Sequence, residues 1–237
     1  MPVRDTNAVQ ALQAVPFFTN LQDDHANELA SRLVPRRFSA GQVIFHLGDP
    51  GGLLYIISRG KVKISHTTPE GQDIVLAILG PGDFFGEMAL LDDSPRSATA
   101  LALEPAETWT LHRDEFINYL TQQPEFALHV LKTLARHIRR LNMQLADIFF
   151  LDLPGRLARV LLNLADQYGR KMLDGTTIDL SLTQTDLAEM TGATRVSINK
   201  ALGRFRRSGW IRINGRRVTI VDREALEDLI EVSGSEA

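Results

Sequence analysis

Apolar positions in this chain change their rhythm twice. Between residues 43 and 79, short β-rich runs (43–46, 53–57, 61–66 and 74–79) alternate with glycine, and nine of the 17 glycines fall from Gly41 to Gly86. Short strands punctuated by glycine turns predict a sandwich or barrel. Residues 19–33, with Leu21, Leu29 and Leu33, predict a short flanking helix. From 124 to 149 the period becomes helical. Ala127, Leu131, Leu134, Ile138, Leu141, Leu145 and Ile148 recur at alternating spacings of 4 and 3. That narrow seam suits a contact between two long helices of a parallel homodimer. The alternative is packing against the chain's own barrel.

A third pattern begins at Asp152, placed to cap a new helix with Pro154 in its first turn. Leu157, Val160, Leu161 and Leu164 give that helix one apolar face; it ends near Gly169, and 170–177 read as a polar loop. Thr183 and Asp186 form a capping box for a helix with Leu187, Ala188 and Met190 on its apolar side. A tight turn at Thr191, Gly192 and Ala193 leads to Thr194, which can cap a second helix running to Arg207. Ile198, Leu202 and Phe205 face inward there, leaving Arg195, Lys200, Arg204 and Arg207 for solvent. Residues 210–213 and 217–221 then flank Asn214-Gly215, a strong hairpin signal. Helix, tight turn, basic helix and basic hairpin together predict a winged helix-turn-helix.

Charge changes the picture locally rather than overall. The net charge is −3, yet from Gly192 to Arg217 there are eight basic residues and no acidic one. A block of this kind suits a polyanion, here double-stranded DNA. The second helix would enter the major groove by its N-terminal end, putting Arg195, Val196, Ser197 and Lys200 near base edges. Thr183, Thr185 and Thr194 hydroxyls, and Arg216 on the wing, would hold phosphates. A winged helix used only for protein contacts is the alternative. At 237 residues and 44% hydrophobic, the composition is globular. No apolar run is long enough for a membrane span, and the first residues do not read as a secretory signal. With no cysteine, disulfides, thiolate metal sites and iron–sulfur ligation are excluded. The expected location is cytoplasmic.

The remaining chemistry lies in Phe85-Gly86-Glu87-Met88-Ala89-Leu90, followed by Pro95-Arg96-Ser97-Ala98-Thr99. Gly86 lets the backbone approach a ligand, Arg96 offers a planar fork to a phosphate, and Ser97 adds a hydroxyl. Glu87, an acceptor when ionised, suits a ribose hydroxyl. By themselves these residues would also pass as a solvated Glu–Arg pair. With the barrel glycines, the heptad helix, Phe150-Leu151-Asp152-Leu153, Gly155-Arg156 and the winged helix, however, the chain resembles the cAMP receptor protein/FNR (CRP/FNR) family of transcription regulators.

The resemblance implies an α+β chain in three parts. These are a cyclic-nucleotide-binding β-roll of the double-stranded β-helix or jelly-roll type (1–123), a dimerisation helix (124–150) and a winged helix-turn-helix DNA-binding domain (151–237). It implies cAMP or another cyclic nucleotide as effector, with Gly86 and Glu87 on the ribose, Arg96 and Ser97 on the phosphate, and Met88 and Ala89 adding backbone contacts. It further implies a homodimer on a palindromic operator, with RNA polymerase as a partner. Three positions depart from the family pattern. Leu141 stands where a threonine faces the base, with Asn142 beside it; His137 replaces an arginine; and Val196 cannot accept a hydrogen bond from a cytosine amino group. The six histidines show no ligand spacing, no metal is expected, and nothing resembles a catalytic set. The reading is a non-enzymatic, nucleotide-controlled regulator. Its alternatives are a nucleotide-independent regulator and a nucleotide-binding subunit acting on proteins.

Overall fold

The computed structural model of the chain describes Val9, residues 23–68 and residues 73–235. Thr19 and Leu21 of the expected flanking helix lie outside them. The chain divides into two compact units, Met1–Ile138 and Arg139–Ala237.

The first unit begins with α1 (Asp23–Ala30), β1 (Val34–Phe38), β2 (Val43–Phe45), β3 (Leu53–Arg59), β4 (Val62–Thr67) and β5 (Asp73–Leu79). It continues with β6 (Phe84–Phe85), α2 (Met88–Leu91), β7 (Thr99–Ala102), β8 (Ala106–His112), α3 (Arg113–Gln122) and the start of α4 (Pro124–Phe150). Two four-stranded sheets, ordered β1-β8-β3-β6 and β2-β7-β4-β5, are antiparallel throughout. β2 to β5 coincide closely with the strands expected from sequence. β3 shows why its run has no polar alternation, since both of its faces are covered. Tyr55 and Ile57 pack with Val62, Phe85, Ala100 and Ala102, while Leu54 and Ile56 pack with Leu29, Leu90, Leu111 and Phe116. Glycine breaks the strands, and this double burial holds them.

The seam residues of α4 divide by position. Leu134 packs against the core cluster beside Val130, a buried residue off the seam, whereas Leu131, Ile138, Leu141, Leu145 and Ile148 are each more than half exposed. Within the first unit, packing on the chain's own barrel accounts for Leu134 and leaves Leu131 and Ile138 uncovered.

In the second unit, α5 (Leu153–Tyr168) leads to a hairpin of β9 (Gly169–Met172) and β10 (Gly175–Ile178). Then come α6 (Gln184–Thr191), α7 (Arg195–Arg207), β11 (Ile211–Asn214), β12 (Arg217–Ile220) and α8 (Arg223–Ser235). The sheet order is β11-β12-β10-β9. Residues 170–177, expected as a polar loop, are thus mostly strand. β9 is an exposed edge with no buried face, so it carries no apolar signal. β10 continues the sheet through Thr176 opposite Ile220 and Thr177 opposite Thr219.

Asp152 caps α5 by accepting from the Gly155 N–H at 2.8 Å. One turn later Arg156 spans two other segments: its Nε donates to the Thr191 carbonyl at the end of α6 (3.1 Å) and its Nη1 to the Leu151 carbonyl (3.0 Å). Leu157, Leu161, Leu164, Leu187, Ile198, Leu202 and Phe205 form the buried face between the helices; Val160 and Met190, expected there, are only half-buried. Among the described residues no helix is long and apolar enough to cross a membrane.

Phe116, fully buried beneath the β1-β8-β3-β6 sheet, sets the anchorage of α3. Phe116→Ala is expected to cost about 3–5 kcal/mol, read as a lowered urea midpoint for the transition of the first unit.

Candidate functional site

Gly86 follows β6 with φ +85°. A Cβ there would stand 2.5 Å from Arg96 Nη1 and 3.0 Å from the Leu53 carbonyl oxygen, so both the backbone angle and the space demand glycine. Arg96 reaches this point from the loop between α2 and β7. Its backbone is held in both directions: the Gly48 N–H donates to its carbonyl at 2.8 Å, and its own N–H donates to the Asp49 carbonyl at 2.9 Å. The side chain is turned inward and is only 4% exposed. Nη1 donates to the Gly86 carbonyl and Nη2 to the Leu53 carbonyl, both at 2.9 Å. The guanidinium lies over the Phe45 ring, 4.2 Å from its centroid, and 5.7 Å from that of Tyr55. Tyr55 in turn stacks on Phe85 at 4.9 Å.

This differs from an open fork facing solvent. Two backbone carbonyls and an aromatic face already satisfy much of the cation, while its Nε–H is buried with no acceptor among the described residues. That group and the second hydrogens on the two Nη atoms are what Arg96 has left for an anion. On this count the residues fit an anionic ligand. Phe45 and Tyr55 were missed from sequence, although inward-facing aromatics on strands beside a buried arginine are the signal that would find them.

Glu87 directly precedes α2, and its carbonyl accepts from both the Leu90 and Leu91 N–H groups at 3.1 Å. Its side chain makes no capping bond. Burial pushes its carboxyl above the ordinary range, opposed more weakly by its own backbone N–H and by Arg96. Ala89 is buried close to Gly51, where a Cβ would come within 2.3 Å of the alanine methyl. Met88 and Ser97 are exposed together, with the Ser97 hydroxyl 3.4 Å from the Met88 sulfur. Arg113 fastens the cassette to α3 by donating to the Leu90 carbonyl (3.1 Å) and to Asp93 (2.8 Å). Gly86, Glu87, Met88, Ala89, Arg96 and Ser97 are therefore brought into one neighbourhood. Leu141 and Asn142 are exposed on α4 in the second unit; the side chain of His137 lies outside the described residues.

The helix-turn-helix is built on caps. Thr183 and Asp186 close a complete capping box, and the Thr183 hydroxyl also donates to the Asp186 carboxylate at 2.6 Å. That donation commits the hydroxyl hydrogen expected for a phosphate, leaving the first backbone N–H groups of α6 and the exposed Thr185 to face one. Gly192 ends α6 in the left-handed region, φ 63° and ψ 40°. Thr194 caps α7 by accepting from the Ser197 N–H at 3.2 Å, and the two hydroxyls share a hydrogen bond of 2.9 Å. Gln184, not singled out from sequence, donates its amide to Asn199 at 3.2 Å and links the two helices on their outer side.

Thr183, Thr185, Arg195, Ile213, Gly215 and Arg216 border a cleft of about 390 Å³ between the helix-turn-helix and the β11–β12 wing. Val196 and Lys200 are exposed on α7. Two of the eight cations expected here are neutralised by acids from outside the basic block: Arg212 by Asp174, and Arg217 by Asp179 at 3.6 Å. Arg195, Lys200, Arg204, Arg206, Arg207 and Arg216 are exposed and have no ion pair among the described residues.

Glu87→Gln should raise the stability of the nucleotide-free protein at neutral pH. A carboxyl with a raised folded pKa binds protons more readily folded than unfolded, so its ionisation destabilises as pH rises through that window. The gain in melting temperature should be largest above the folded pKa and vanish in acid, well below the ordinary value of 4.5. Melts of both proteins across pH check this.

Residues 35–123 match the family described as Cyclic nucleotide-binding domain, and 155–229 match the Crp-like helix-turn-helix domain. A "CRP-like cAMP-activated global transcriptional regulator" of Mycobacterium tuberculosis is 37% identical over 217 residues, covering 92% of this chain and 97% of that protein. The "Cyclic AMP receptor protein" of Thermus thermophilus is 30% identical over 218 residues, covering 92% and 98%. Among solved structures, a CRP-family transcriptional regulator from Thermus thermophilus superposes with a TM-score of 0.70 at 30% identity, covering 83% of this chain and 96% of that one. With both domains in this order and relatives matched along nearly their whole length, the chain belongs to the CRP/FNR family of transcription regulators.

Proposed function

We propose that the chain acts as a homodimer whose affinity for DNA is set by a cyclic nucleotide, cAMP, held at Gly86, Glu87, Arg96 and Ser97. The observation that carries this reading is the buried Arg96 Nε–H, without an acceptor among the described residues, next to a glycine whose missing Cβ admits the guanidinium and a carboxyl whose burial hinders its ionisation. A cyclic phosphate supplies the acceptor, and its ribose hydroxyl a donor for Glu87. Met88 and Ala89 offer backbone contacts at the same place. The name of the Mycobacterium tuberculosis relative, a cAMP-activated regulator, supports the choice of nucleotide.

The exposed apolar stripe of α4 supports the dimer. Leucine and isoleucine at heptad spacing, each more than half exposed in the single chain, gain by facing their own copies. The dimer would place two α7 helices about one DNA turn apart, ~34 Å, on a palindromic operator. Arg195, Val196, Ser197 and Lys200 would face base edges; Thr185, Thr194, Arg216 and the start of α6 at Thr183 would face phosphates. RNA polymerase is the expected further partner. The six exposed cations without an ion pair among the described residues weigh against a subunit that acts on proteins alone. A second reading, DNA binding without nucleotide, draws on Leu141. A leucine on the seam packs against its dimer mate with or without ligand and contributes ~1.5–3 kcal/mol, comparable to a typical allosteric coupling.

Titration calorimetry of the nucleotide-stripped protein with cAMP and cGMP tests the effector directly. Arg96→Ala is expected to weaken cAMP binding by about 2–4 kcal/mol. Because Arg96 also satisfies two carbonyls, a thermal melt must accompany the titration; unchanged affinity in a folded variant removes the cassette reading. Mobility-shift titrations with and without cAMP separate the two readings. Nucleotide control predicts at least ~10-fold tighter DNA binding with cAMP, about 1.4 kcal/mol. A shift above roughly 100-fold excludes the Leu141 reading, and no shift excludes the effector.

A further inference from the structure

One stripe of α7 is buried, through Ile198, Ala201, Leu202 and Phe205. The opposite stripe runs Val196, Lys200, Gly203, Arg207, at spacings of 4, 3 and 4. Two of these four residues are unusual for a surface that meets a polyanion. Val196, in the first turn, is 65% exposed, and a branched apolar side chain there has no packing role within the chain. Gly203 sits inside the helix, where glycine is less favourable than alanine. A Cβ at Gly203 would meet only the far end of the Arg207 side chain, at an ordinary 3.4 Å. Nothing inside the molecule asks for the glycine.

Both oddities make sense toward the major groove. The edge of a base pair presents donors and acceptors and one apolar group, the C5-methyl of thymine. Valine can neither donate nor accept a hydrogen bond, so a polar edge opposite it would lose its water without replacement. A thymine methyl gains by the same contact. Gly203, one heptad beyond Val196 and on the same stripe, removes the side chain that would otherwise hold the helix away from the groove.

We propose that Val196 is a specificity-determining residue that reads the methyl group of one thymine per half-site, with Gly203 letting α7 approach closely enough to make that contact. The proposal rests on α7 being the helix that enters the groove, and its test separates the two. The full-length protein, with cAMP present, is used to select binding sites from randomised duplexes. One position per half-site is expected to return thymine. That thymine is then replaced by deoxyuracil, which lacks only the methyl. The wild-type protein should bind the uracil duplex roughly fourfold more weakly per half-site, the worth of one buried methyl group. Val196→Ser should bind the thymine and uracil duplexes equally. Gly203→Ala should melt at the same or a higher temperature, yet bind the selected duplex more weakly and show a smaller thymine-to-uracil ratio. Equal affinity of the wild type for both duplexes overturns the proposal, as does a full methyl effect retained in Val196→Ser. Undiminished binding by Gly203→Ala removes the close-approach role. If no sequence is enriched at all, the assignment of α7 as the reading helix falls, and the proposal with it.

Discussion

A guanidinium kept out of water, at Arg96, is the constraint that orders the first unit. Removing a cation from solvent costs several kcal/mol unless its hydrogens find acceptors. Here the acceptors are two main-chain carbonyls, of Gly86 and Leu53, each at 2.9 Å. Meeting that geometry fixes much else. Position 86 has no room for a side chain, β3 must begin where its first carbonyl faces the cassette, and a flat ring, Phe45, must lie against the guanidinium. Glu87 is drawn into the same low-dielectric setting, where its carboxyl is harder to ionise. The guanidinium and the carboxyl are thus both held where charge is costly.

The second unit is ordered by different means. At the starts of three of its helices, free N–H groups are met by Asp152, Thr183 and Thr194. These caps determine where α5, α6 and α7 begin, and so which residues stand at the outer end of α7. Among the described residues, the cations without an ion pair lie on that helix and at Arg216, while Asp174 and Asp179 neutralise Arg212 on one strand of the wing and Arg217 on the other.

Much of this was legible in the sequence, for identifiable reasons. β2 to β5 stood out because glycine bounds them and their inward residues are apolar. β8 did not, since its buried Thr108 and Thr110 carry no apolar signal, and β9 did not, because an exposed edge strand looks like a loop. The caps at Asp152, Thr183 and Thr194 follow from local chemistry and were read at the right positions. The direction of Arg96 could not be read, because it depends in part on the Leu53 carbonyl of β3, 43 residues away. Nor could the neutralised cations, whose acids lie 38 residues away from Arg212 and on the far side of α7 from Arg217 in sequence. Local rules reached as far as the groups they govern, and tertiary pairing decided the rest.

Arg156 makes the end of α4 and the turn of the helix-turn-helix into one mechanical part. With one guanidinium bonded to the Leu151 carbonyl and to the Thr191 carbonyl at once, the distance between those two points is fixed by a rigid planar group rather than by a flexible chain. Thr191 directly precedes Gly192, the left-handed residue between α6 and α7, so the segment that follows the long helix and the turn that leads into α7 share a single anchor.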